Sequence, residues 1–117
     1  MVKSTALAVT LGVALMGVAS FTVAADRAEM EGEHLFAFHS CINCHGAQGN
    51  EPVSRLVPKL AGKNADELLT NAMKILRGET DSEEAKLMKS AVAYSQACDA
   101  PPTEGEFKKI TDWLATQ

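Results

Sequence analysis

The sequence predicts an all-α fold. Three stretches in the second half of the chain repeat apolar residues at intervals of three and four, which is the period of a helix with one buried face. Polar residues that commonly cap helices precede these stretches, and no stretch alternates apolar and polar residues as a half-buried strand would. We therefore expect three to five helices packed into one small domain.

Residues 1–25 have the composition of a secretory signal peptide. One lysine precedes an apolar run, Ala6 to Val18, and the small residues Val23-Ala24-Ala25 suit signal peptidase. The run is too short to span a bilayer, which needs about 20 residues, although a retained N-terminal anchor is the alternative. We predict a signal peptide at residues 1–25, a single domain at residues 26–117 and a location in the periplasm.

The first mature segment, Arg27 to Ser40, is predicted to be a helix. Acidic residues are concentrated at its start, where the helix dipole favours negative charge, and the small Gly32 would permit a close helix crossing. His34 and His39 lie on this segment. We expect both to be exposed, because exposed helix histidines are the commoner case.

The stretch Cys41-Ile42-Asn43-Cys44-His45 is the attachment signature of a c-type haem. Two thiols on one helical turn can both form thioethers with a single porphyrin, and the adjacent histidine can then ligate the iron. A thioredoxin-like pair, half of a zinc site or a structural disulfide are alternatives, but none explains the adjacent histidine. We predict one covalent haem c on Cys41 and Cys44, with His45 as an iron ligand.

Turn and capping residues delimit the remaining elements. Residues 46–57 are rich in glycine, asparagine and proline and are predicted to form an irregular loop. Asn64 is the predicted cap of a helix that Gly78 ends, Asp81-Ser82 begins another, and Thr103 begins a capping box before the last.

The haem motif near the mature N-terminus and the stretch Pro58-Lys59-Leu60-Ala61-Gly62 together make the chain resemble the class I cytochromes c, monohaem and bacterial. The second stretch is similar to one in small bacterial carriers and in the haem subunits of flavocytochrome c sulfide dehydrogenases. The resemblance implies helices wrapped around one haem. It also implies that the carbonyl of Pro58 accepts a hydrogen bond from Nδ1 of His45, which fixes the imidazole.

The same resemblance implies that the helix with Gly32 and an aromatic residue crosses the C-terminal helix, which carries Ile110 and Trp113. Phe36 stands five residues before Cys41, where four is common in mitochondrial-type relatives. Either the helix is shifted by one residue or Phe38 takes part of the role.

A class I carrier needs a second iron ligand, usually a methionine. Met88 lies well beyond His45, and its Leu87-Met88-Lys89 setting resembles the ligand segment of the sulfide-dehydrogenase-like cytochromes. Met73 is the alternative, although its helical spacing suits a core residue. We predict Met88 as the sixth ligand.

Cys98 is left over once the haem motif has taken two cysteines. Three interpretations of Cys98 are open. It is a buried residue that acts as a small apolar side chain, or it forms a disulfide with a second copy or a partner, or it is a sulfur-carrying or iron-ligating thiolate. A disulfide dimer through Cys98 is therefore one of the outcomes to test.

Charge narrows the choice of partner. The chain has 11 Lys and Arg residues and 15 Asp and Glu residues. Signal cleavage would remove one lysine and no acidic residue, which leaves a formal net charge of −5. Nucleic acid and anionic lipid are therefore not expected, nor is a stable membrane span after cleavage. A redox protein with a basic face or a mainly apolar contact fits better, although the surplus acid is equally explained by solubility.

We predict an electron carrier and not an enzyme, with a flavoprotein or a terminal oxidase as candidate redox partners. The alternative is the haem-bearing electron-acceptor subunit of a sulfur-oxidising enzyme such as a flavoprotein sulfide dehydrogenase, which the Pro58–Gly62 stretch favours. Co-purification of a flavin-bearing chain would separate the two. Catalysis at an open haem site or at Cys98 has no positive signal in the sequence.

Overall fold

The computed structural model describes residues 27–93 and 101–117. Five helices lie wholly within these ranges, residues 27–29 are also helical, and none of the described residues is in a strand, so the predicted all-α class is confirmed. The helices are α1 (Gly32–Phe38), α2 (Ile42–His45), α3 (Ala65–Arg77), α4 (Glu83–Ala93) and α5 (Glu104–Leu114). None of these helices is long and apolar enough to cross a membrane. The predicted signal peptide and Cys98 lie outside the described residues.

Helices α3, α4 and α5 begin at the predicted capping residues, and α3 ends at the predicted Gly78. The Asn64 side chain accepts a hydrogen bond from the Glu67 backbone N–H at 3.0 Å, and Gly78 ends α3 in the left-handed conformation with φ of 74°. Thr103 and Glu106 form a reciprocal capping box at the start of α5. Local side-chain chemistry therefore sets these boundaries. The single helix predicted from Arg27 to Ser40 is instead interrupted, because residues 30 and 31 are not helical and α1 begins only at Gly32.

The core lies where α1 and α3 each pack against α5. A Cβ atom on Gly32 would overlap the backbone carbonyl oxygen of Lys109 on α5, so only glycine permits this approach. The predicted close crossing is thus present. The buried apolar residues of the core are Leu35, Phe36, Leu68, Ala72, Phe107, Ile110 and Leu114.

Phe36, rather than Phe38, is the aromatic residue of the crossing. Phe36 is 1% exposed and its ring centroid lies 5.4 Å from that of Trp113, whereas Phe38 is half-buried and packs beneath the Arg27 guanidinium. Ser40, the residue before Cys41, adopts a left-handed φ of 63°. There the Cys41 N–H bonds to the Phe36 carbonyl, so a Schellman-type turn closes α1.

Helix α4 lies outside this core. Its buried residues, Ala85 and Val92, are not part of the core cluster, and α3 is its principal helical neighbour. The inner face of α4 is therefore available to line a cavity.

Candidate haem-binding site

The two motif cysteines flank the short helix α2. Cys41 caps its N-terminus, and the His45 backbone N–H donates to the Cys41 carbonyl at 3.0 Å, which closes one helical turn. Both thiols are half-buried and both line the same cavity of about 450 Å³. The spacing of the motif therefore presents two sulfur atoms to one space, as a bridge to a single porphyrin requires.

His45 is buried and is held by the loop that follows it. Its Nδ1 lies 2.9 Å from the backbone carbonyl oxygen of Pro58, which is the hydrogen bond that the resemblance implied. Since a carbonyl can only accept, Nδ1 carries the proton and Nε2 keeps a lone pair for a metal. Burial lowers the pKa of His45 below its ordinary value, while the bond to Pro58 opposes that shift, so the neutral form is favoured.

The cavity has predominantly apolar walls. Its walls include the loop residues Leu56, Val57 and Pro58 and, from α4, Ala85, Met88 and Val92. A smaller cavity of about 150 Å³ shares Cys41, His45, Pro58, Ile75 and Met88 with the larger one and reaches core residues such as Phe36 and Phe107. A large apolar cofactor could therefore reach from the cavity mouth to the core.

The described methionines lie in two different environments. Met88 lines both cavities together with His45. Met73 and Met30 instead pack against the hydrophobic core, and neither is among the residues that line the cavities. Met88 is thus the described methionine that shares the cavity with the histidine.

The Cys41 thiol does not have the electrostatics of a redox-active cysteine. Burial raises the pKa of the Cys41 thiol to about 12, whereas a reactive dithiol needs a thiolate stabilised near neutral pH. A zinc site also lacks ligands, because no group of three His, Cys, Asp or Glu side chains within the described ranges is arranged to hold a metal ion. These findings weigh against two of the alternatives to haem attachment.

The expected exposure of His39 is wrong, while His34 is exposed as expected. His39 is 1% exposed and lines the larger cavity, and its Nε2 lies 3.4 Å from Oε2 of Glu106. Glu106 also binds the Arg27 guanidinium through two contacts of 2.8 Å. The Glu106 carboxylate on α5 therefore offsets the free-energy cost of burying the His39 imidazole. The sequence around His39 contains no signal of this distant partner.

Another residue of the cavity, Ile75, was not singled out by sequence. It belongs to the periodic apolar face of α3 and lines both cavities beside Met88. Periodicity could have identified this residue as inward-facing, but not as part of a binding site.

Comparison with known proteins gives one match. The sequence model of the family described as Cytochrome c matches residues 29–117, which is most of the chain. A search of curated proteins and a search of solved structures each found no significant match.

The described residues fit the cofactor of that family. An apolar cavity brings together two thiols, a neutral imidazole with its Nδ1 already bonded, and a methionine thioether. Two thiols suit covalent attachment to a porphyrin, and the imidazole suits ligation of its iron. The chain therefore carries one covalently attached haem c.

Proposed function

Since the chain belongs to the cytochrome c family, we propose that it is a periplasmic electron carrier in which His45 and Met88 are the axial ligands of a single haem c. Family membership supports haem-based electron transfer and an electron carrier rather than a catalytic enzyme. The observation that carries the finer proposal is that Met88 and His45 line the same apolar cavity as Cys41 and Cys44.

Bound haem supplies a one-electron couple, and the protein sets its properties. Pro58 orients the His45 imidazole through the 2.9 Å hydrogen bond and increases its basicity. A thioether ligand from Met88 would favour the ferrous state relative to a second nitrogen ligand. The apolar walls from the loop and α4 offer few polar groups, so they disfavour additional positive charge in the cavity.

Substitution of the methionines tests the ligation. Met88→Ala is expected to abolish the weak sulfur-to-iron absorption band in the far red of the ferric protein and to lower its reduction potential, because the thioether is lost. Met73→Ala is the matched control, since Met73 packs against the core and should leave both properties unchanged. Spectra and redox titration of the purified holoproteins measure the effect.

Three outcomes separate the assignments. Loss of the band in Met73→Ala and its retention in Met88→Ala would reverse the assignment. Absence of the band from the wild type would exclude both methionines as ligands. A redox titration of the wild type without a one-electron wave would contradict the carrier function itself.

The location has its own test. Periplasmic fractionation followed by N-terminal sequencing should yield a chain that begins at Asp26. Recovery of the holoprotein with residues 1–25 intact in the membrane fraction would instead support the retained anchor.

The acceptor-subunit function remains the second candidate. It is supported by the Pro58–Gly62 stretch, whose first residue contacts His45. Stable co-purification with a flavin-bearing chain would favour this function, and recovery of the haem protein alone would favour a free carrier.

A further inference from the structure

A buried histidine that neither haem attachment nor iron ligation uses adjoins the cavity. His39 is 1% exposed and lines the cavity together with Cys41, Cys44 and His45. Its Nε2 lies 3.4 Å from Oε2 of Glu106 on α5. The imidazole is therefore next to both the haem site and a carboxylate.

The charge of this cluster depends on His39. The Arg27 guanidinium donates to both carboxylate oxygens of Glu106 at 2.8 Å, so those two residues form a neutral pair. Burial opposes the ionisation of Glu106, but the hydrogen bonds from Arg27 and Thr103 outweigh it and hold the pKa of Glu106 below its ordinary value of 4.5. The cluster of Arg27, Glu106 and His39 therefore carries no net charge when His39 is neutral and one positive charge when His39 is protonated.

The other charged groups around the cluster are placed differently. Glu84 of α4 and His45 of α2 line the same cavity, and iron ligation would occupy Nε2 of His45. Lys109 of α5 is bonded to the Ala28 carbonyl oxygen at 2.7 Å. Among the described residues that line the cavity, His39 is thus the one that keeps a titratable imidazole once haem is attached.

We propose that the protein takes up a proton at His39 when its haem is reduced and releases that proton on oxidation, so that it carries a proton with its electron. The proposal rests on the electron-transfer function. Reduction removes one positive charge from the iron, so a protonated His39 is better tolerated in the ferrous than in the ferric protein. At an effective dielectric constant of about 20, two unit charges about 12 Å apart change each other's equilibria by about tenfold.

The step involves one electron and one proton. The electron comes from the redox donor and reduces the iron, while the proton comes from solvent and forms an N–H bond on neutral His39. Because an ionised carboxylate only accepts hydrogen bonds, Nε2 beside Glu106 carries the hydrogen of the neutral ring, and Nδ1 takes up the new proton. On oxidation the electron passes to the acceptor and the proton returns to solvent.

The reduction potential of the holoprotein, measured from about pH 5 to about pH 9, tests this coupling. If the ferrous protein binds the proton about tenfold more tightly, its potential should be about 59 mV lower at the alkaline end than at the acid end. His39→Gln should remove this dependence. The potential of this variant should coincide with that of the alkaline wild type, because both lack the positive charge. His34→Gln changes an exposed histidine of the same segment and should behave as the wild type.

Two further measurements keep the test available if His39→Gln fails to fold. Glu106→Gln removes the carboxylate and keeps the imidazole, so the range over which the potential falls should move to lower pH by about one unit or more. In weakly buffered solution near neutral pH, a pH-indicator dye should report the uptake of a fraction of a proton when the ferric wild type is reduced.

Three results would overturn the proposal. The first is a wild-type potential that does not change over this pH range. The second is a His39→Gln variant that keeps the full dependence, and the third is a His34→Gln variant that loses it, since each would place the proton elsewhere. If the wild type shows no one-electron wave at any pH, the electron-transfer function fails instead.

Discussion

Glu106 connects three separate parts of the chain through one carboxylate. It accepts the Thr103 backbone N–H at 2.7 Å within the capping box of α5, binds Arg27 from the start of the described chain, and lies 3.4 Å from His39 on the cavity wall. Arg27 and Glu106 are both less than a tenth exposed. A buried carboxylate is tolerated here because several donors surround it.

The free energy of unfolding should depend on pH through the protonation of Glu106. Burial alone would raise the pKa of Glu106, but hydrogen bonds from Arg27 and Thr103 and the charges of His39 and Arg27 lower it below its ordinary value of 4.5. A carboxylate whose folded pKa is depressed contributes stability that is present above pH 4.5 and is lost as the pH falls through the folded pKa.

Glu106→Gln should therefore destabilise the holoprotein by about 3 kcal/mol at neutral pH, because the buried Arg27 loses its charged partner. The difference from the wild type should shrink as the pH falls below 4.5. Urea denaturation at a series of pH values measures it, and Glu104→Gln, at an exposed site of the same helical turn, is the control. An equal difference at every pH would contradict this account.

The sequence predicted the roles of residues whose functional partners are close to them in the chain. Cys41, Cys44 and His45 form one helical turn, so their spacing alone indicates the chemistry. The bond from His45 to Pro58 spans thirteen residues and was predicted only through the family resemblance. Arg27 and Glu106 are 79 residues apart, and nothing local indicates their contact, which is why the burial of His39 was missed.

At the scale of the helices, the crossing of α1 and α5 depends on the absence of a side chain. A Cβ on Gly32 would meet the Lys109 carbonyl and lie 2.8 Å from Cβ of Trp113. Gly32→Ala should therefore cost about 2 kcal/mol or more, because two backbones must move apart. Thermal or urea unfolding of the holoprotein measures the loss.

Gly105→Ala is the matched control for this crossing. Gly105 lies in α5, and the nearest atom to its added Cβ, Oγ1 of Thr103, is 3.9 Å away. Since alanine is the better helix former, this variant should be as stable as the wild type or more so, by up to about 1 kcal/mol. Equal destabilisation of both variants would show that loss of glycine, and not the crossing, is responsible.

Helix α4 illustrates what periodicity leaves open. Its apolar spacing predicted an inward face, and Met88 fitted that pattern as well as it fitted a ligand role. The structure places this face along the cavity, whereas the corresponding face of α3 includes Leu68 and Ala72 of the core. A repeat of apolar residues identifies the helix face that is buried. It does not show whether the protein core or an apolar cofactor covers that face, because both offer the same kind of apolar contact.

At the scale of the whole molecule, the cofactor site occupies space that the protein does not fill. Its lining comes mainly from α2, from the loop residues Ser54, Leu56, Val57 and Pro58, and from α4, which adds no residue to the core cluster. Without the cofactor these apolar walls face water, so they contribute no hydrophobic stabilisation. Typical domains have a total stability of only about 5–15 kcal/mol, which leaves little reserve for such a loss.

The chain without haem should therefore not keep its fold. A Cys41→Ala/Cys44→Ala double variant prepared free of haem should lose its cooperative thermal transition and the part of its far-UV helical signal that α4 supplies, because α4 has little besides the cofactor to pack against. In hydrogen exchange, α4 should lose protection before α1 and α5, which keep their direct contact. Cys44→Ala, which retains one attachment thiol, should bind haem and recover the transition. A cooperative transition with undiminished helicity in the haem-free double variant would mean that the protein core alone holds the fold, and that the cavity is a preformed pocket rather than the centre of the structure.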